Sequence, residues 1–97
     1  MNIRIAGHIE SLDGRPLTSL ATMTIDIQPE WWKSKGSFQV PFGSSHGDLM
    51  APNVMLRLSD GRYGQIVIHD IHSGTNTPTT AYFIGSELLN NPSQEKQ

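Results

Sequence analysis

Ninety-seven residues suit one compact domain and leave little room for a second. A formal net charge of −2 supplies no global field toward nucleic acid or an anionic membrane, and the absence of cysteine excludes disulfides, thiolate ligands and a cysteine nucleophile. With 16% charged residues, 9 Gly and 6 Pro, the chain reads as short strands joined by tight turns, and a cysteine-free domain of this size fits a reducing, cytoplasmic setting.

The first predicted element is a half-buried strand. Ile3, Ile5, Gly7 and Ile9 alternate with Asn2, Arg4, Ala6, His8 and Glu10, a period of two. This amino-terminal stretch lacks the apolar run of a signal peptide. No run anywhere approaches the roughly 20 apolar residues of a membrane helix, so no membrane association is expected. Asp13-Gly14 then provides a turn that tolerates positive φ, and Pro16 interrupts any ladder. A second strand places Ala21, Met23, Ile25 and Ile27 inward with Thr22, Thr24 and Asp26 outward. The two strands are expected to form a hairpin with a loose connection.

Residues 28–36 break the alternation and predict a loop with one helical turn after Pro29. A third strand over 37–42 sets Phe38, Val40 and Phe42 together, and Pro41 marks it as an edge or bulged strand because it cannot donate to a ladder. Residues 43–53 form a long loop. The sharpest local prediction is a hairpin around Asp60-Gly61, with Val54, Leu56 and Leu58 on one face. A last strand over 79–86 closes a single domain of residues 1–89, followed by a polar tail, 90–97, expected to be disordered.

Asp13-Gly14-Arg15 and Asp60-Gly61-Arg62 each precede an Ile-rich strand. Two related hairpins would build a pseudo-symmetric barrel; recurrence of a common turn would give the same pattern. No segment sustains a 3.6-residue apolar period over three turns. The fold expected is therefore all-β with little helix: one small antiparallel barrel or a two-layer sandwich of about six strands. Gly7, Gly64 and Gly85 inside strands favour the barrel, where tight coiling needs a missing side chain.

Three clusters carry possible chemistry. In a regular strand His69 points with Val67 and Ile71, while Asp70 and His72 point oppositely, so the two histidines share a metal only if the strand ends near Asp70. Convergence with His46 or His8 would supply the three or four ligands zinc requires. The plainer reading has Asp70 and Ser73 bonding the backbone where strand becomes loop. Gly43-Ser44-Ser45-His46-Gly47 fits G-x-S-x-G, but Pro52 and the lack of strand–helix alternation deny it the setting of a nucleophile elbow.

The third cluster is Trp31-Trp32-Lys33-Ser34-Lys35. Its rings could stack bases, plug a barrel end or anchor a protein partner. The net charge disfavours a nucleic-acid groove. Asp70 at a strand end resembles the D-x-S-x-x-G motif of PilZ cyclic-dinucleotide-binding barrels. Here His72 stands in the serine position, Thr75 in the glycine position, and no two arginines have the R-x-x-x-R spacing of that family. No family is assigned on it.

The functional expectation is a non-enzymatic β-barrel that acts in protein interaction or self-association. Its contact candidates are Trp31, Trp32, Lys33, Lys35 and Pro41. The alternative is a small-ligand or metal-binding domain using His46, His69, Asp70 and His72. No catalytic set and no cofactor fingerprint is found.

Overall fold

Alternating apolar residues in six short segments can bury their shared face only by curling the sheet onto itself, and the chain does so. The structure, a computed structural model, describes residues 1–41, 46–73 and 78–86. Strands β1 (Asn2–Glu10), β2 (Ala21–Asp26), β3 (Lys35–Gln39), β4 (Val54–Leu58), β5 (Tyr63–His72) and β6 (Thr80–Gly85) form a closed barrel. Their order is β1-β2-β3-β6-β5-β4, and every pairing is antiparallel. Closure decides between the two architectures the sequence allows.

Two three-stranded meanders, β1–β3 and β4–β6, meet at two seams. One joins β1 to β4, with Ile9 beside Leu56; the other joins β3 to β6, with Phe38 beside Ala81. Exchanging the first three strands with the last three leaves the order unchanged. The Asp13-Gly14 and Asp60-Gly61 turns occupy equivalent places in the two halves. Gly61 sits at φ 96, a left-handed conformation that glycine adopts without a Cβ penalty, and its N–H donates to the Leu58 carbonyl at 3.0 Å.

The inward row is Ile9, Met23, Ile25, Phe38, Val54, Leu56, Leu58, Ile66, Ile68, Ala81 and Phe83, all buried. Each large aliphatic buried there contributes about 1.5–3 kcal/mol. Phe38 and Phe83, facing each other across the β3–β6 seam, have ring centroids 6.2 Å apart and tilted by 44°. Two non-strand side chains complete the core. Leu49 comes from the single helical turn α1 (His46–Leu49), and Trp31 from a 3-10 turn, Trp31–Lys33, at the place where a turn after Pro29 is predicted.

Trp31 seals the barrel end beside Gly85. A Cβ on Gly85 would stand 2.0 Å from the Trp31 carbonyl oxygen, so only glycine permits this approach. The Trp31 indole Nε1–H donates to the Gln65 carbonyl at 2.8 Å, which lets the ring enter the core with its polar atom satisfied. Buried Thr18 is satisfied likewise, its hydroxyl oxygen accepting the Ile9 N–H at 3.0 Å.

The bounds of β3 and β5 differ from the sequence reading. β3 begins at Lys35 and ends at Gln39, because Lys35 and Gly36 are drawn into ladders by Asp26 and Ile25 on one side and Ile84 and Phe83 on the other. Pro41 lies beyond the strand, after Val40 has donated its N–H to the Thr79 carbonyl at 2.8 Å. β3 is thus an interior strand with two neighbours and no register shift in either ladder, so it is neither the edge nor the bulged strand that Pro41 suggests. β5 runs on to His72 instead of stopping near Asp70. Phe42, the Gly43–Ser45 part of the G-x-S-x-G match and the tail 90–97 lie outside the described residues.

Candidate functional site

A β-bulge in β5 reorganises the histidine cluster. Ile68 pairs with Phe83 and Asp70 with Tyr82, so His69 is the extra residue between them. Beyond the bulge Ile71 pairs with buried Ala81 and packs against the core, while Asp70 and His72 pair with outward-facing Tyr82 and Thr80. Regular alternation would have placed His69 with Ile71. The inserted residue instead leaves His69, Asp70 and His72 all on the outside.

The three do not converge. His72 Nε2 lies 2.6 Å from Asp70 Oδ2, and the His72 ring meets Tyr82 edge-on at 5.8 Å. His69 instead lines a depression of about 250 Å³ with Lys35, Gly36, Ser37, Tyr82 and Phe83. The side chain of His46 lies outside the described residues, and His8 is engaged on another wall. Among the described residues no group of three His, Asp or Glu is placed to hold a metal ion. The Asp70–His72 pair is solvent-exposed, a setting in which ion pairs contribute about 0–1 kcal/mol.

The outer wall built by β3, β6 and β5 is unusually apolar along its middle strand. Tyr82 and Ile84 are 40% and 42% exposed. Lys35 flanks Ile84 on the β3 side, and Asp70 flanks Tyr82 on the β5 side. The turn carrying the tryptophans packs against the end of β6, where the Gly85 N–H donates to the Ser34 carbonyl at 2.9 Å. The two rings have separate fates: Trp31 is 3% exposed and serves the core, whereas Trp32 is 54% exposed. Lys33 pairs with Glu30 at 3.0 Å, and Pro41, past the end of β3, lines a groove over β1, β2 and β3.

Comparison of the chain with family models, curated proteins and solved structures gives no match in any of the three. No helix among the described residues is long and apolar enough to cross a membrane.

A second polar cluster, on the β1–β4 seam, was not singled out from the sequence. Glu10 accepts from Arg57 Nε at 2.9 Å, lies 2.7 Å from His8 Nε2, and has little solvent exposure. Arg57 also covers the Tyr63 ring at 4.9 Å. Burial pushes the Glu10 carboxyl up, but the His8 and Arg57 hydrogen bonds and charges together outweigh it and hold the group below its ordinary value. The partners come from β1 and β4, some fifty positions apart, so only the His8–Glu10 spacing was available to suggest them. Tyr82 and Ile84 had a visible signal: both fall on the solvent phase of β6.

Proposed function

We propose that the barrel is a non-enzymatic interaction module and that it self-associates through the outer wall of β3, β6 and β5. The observation that supports this reading is the pair of large side chains, Tyr82 and Ile84, left on the solvent face of β6, with exposed Trp32 projecting from the adjoining turn. Aromatic residues of this kind dominate interface energies when they are desolvated.

A second copy suits the charges on this wall. Lys35 and Asp70 stand on opposite flanks of β6, and a twofold axis near Tyr82 sets the lysine of one copy toward the aspartate of the other. The closed barrel has no free strand edge, so contacts of this module are made by side chains and not by strand addition.

Light scattering after size exclusion, over a wide concentration series, tests the proposal. Wild type should form a dimer, and Ile84→Lys and Trp32→Ala should each weaken it by about tenfold or more while leaving thermal unfolding of the dilute, monomeric protein unchanged. A wild type that stays monomeric throughout, or variants that dimerise equally well, would overturn it.

A further inference from the structure

A separate concavity lies over β1, β2 and β3. Its volume is about 570 Å³, and Arg4, Thr22, Thr24, Ser37 and Gln39 line it, with exposed Leu20 at its margin. Strand register makes three of these residues a continuous row: Arg4 sits beside Thr24, and Thr24 beside Ser37. The row exists because outward residues of paired strands fall side by side.

Among the described residues, most Lys and Arg side chains outside this groove are paired with a carboxylate. Arg15 pairs with Asp48 at 4.0 Å, Lys33 with Glu30 at 3.0 Å, Arg57 with Glu10 at 2.9 Å and Arg62 with Asp60 at 2.8 Å. Among the described residues, Arg4 and Lys35 are the two Lys/Arg side chains with no carboxylate partner. Arg4 makes no hydrogen bond to a described residue either, and the same holds for the hydroxyls of Thr22, Thr24 and Ser37. Among the described residues no carboxylate lines the groove.

A guanidinium offers a planar fork of donors that matches a carboxylate or phosphate, and neighbouring hydroxyls can donate to the remaining oxygens. The volume falls in the usual range for a small ligand. Among the described residues the one aromatic that lines the groove, Phe38, is buried, so none of them offers a base a stacking platform. We propose that this groove binds the oxyanion of a small ligand, phosphate or carboxylate, with Arg4 as the anchoring cation and Thr24 and Ser37 as added donors. With a net charge of −2 the attraction is local to the groove and not a property of the whole surface.

The test is an amide-resolved NMR titration of the full chain with inorganic phosphate and, separately, citrate, at constant ionic strength. Saturable shifts centred on Thr22, Thr24 and Ser37 are expected in at least one series. A response to phosphate alone identifies a phosphate group as the recognised chemistry, and a response to citrate alone identifies a carboxylate. Arg4→Gln should weaken binding at least about tenfold, and Arg4→Lys, which keeps the charge but loses the fork, by several-fold. Arg62→Gln, which alters a paired guanidinium outside the groove, should leave it unchanged. No saturable response in either series, or wild-type affinity in both Arg4 variants, would overturn the proposal. Ser37 also stands beside Tyr82 on the β3–β6–β5 wall, but Arg4 on β1 does not, so weaker anion binding in the Arg4 variants with self-association unchanged separates the two proposals.

Discussion

Two tryptophans adjacent in sequence should respond oppositely to truncation. Trp31→Ala removes a ring that is 97% out of solvent, given its 3% exposure. A buried tryptophan hides about 200 Å² of surface, and at about 25 cal/mol/Å² its burial contributes at most about 5 kcal/mol. The lost Nε1–H bond to Gln65 adds about 1 kcal/mol, while surface already buried in the unfolded chain and partial collapse of the site lower the expected cost to about 4 kcal/mol. Domains of this size have only about 5–15 kcal/mol in hand, so the variant should be marginal, with its melting temperature lowered by roughly 15–30 °C. Trp31→Phe keeps a ring in place, and the Gln65 carbonyl still accepts the Ser86 N–H at 3.0 Å, so about 1–3 kcal/mol is expected. Trp32→Ala should stay within about 0.5 kcal/mol of wild type. Urea unfolding followed by circular dichroism is the suitable assay, since each variant removes a fluorescent reporter. A Trp31→Ala protein within about 1 kcal/mol of wild type, or a Trp32→Ala protein equally damaged, would refute the assignment of Trp31 as the plug.

The same barrel end predicts that Gly85→Ala is severe. Its Cβ would meet the backbone carbonyl of Trp31 as well as the edge of that buried ring, so a loss of about 3 kcal/mol or more is expected in urea titrations. Glu10 should shape the acid limb of stability. Its carboxyl is held below the ordinary 4.5, so its contribution is complete above that pH and is lost as pH falls through the lowered value. Glu10→Gln should therefore flatten the loss of stability below pH 4.5; an acid limb as steep as that of wild type would show the His8–Glu10–Arg57 contacts to be energetically idle.

Strand phase was legible because it is local. Ile3 to Ile9, Met23 to Ile25 and Val54 to Leu58 each state their inner face by alternation, and Asp60-Gly61 states its turn by backbone preference. Features set by partners far along the chain were hidden. Lys35-Gly36 is a poor strand former in isolation and becomes one because β2 and β6 both pair with it. Pro41 suggested an edge because a proline ends a ladder, yet a ladder that ends just before it can be interior. The bulge at His69 has no mark in the sequence: an uninterrupted Ile-Val-Ile-His-Asp-Ile run reads as regular until the Phe83 and Tyr82 register shows the extra residue. Composition could not apportion burial between Trp31 and Trp32 either; the space left by Gly85 did so.

The two seams also constrain how the chain reaches this state. β1 waits for β4, and β3 for β6, so the first meander is synthesised well before anything exists to cover it. Until then Met23, Ile25 and Phe38 face water, and the outer strands of that half offer open ladders to whatever lies near. Closure leaves no edge on the finished barrel, but the β1 edge stays open until β4 emerges and the β3 edge until β6 does.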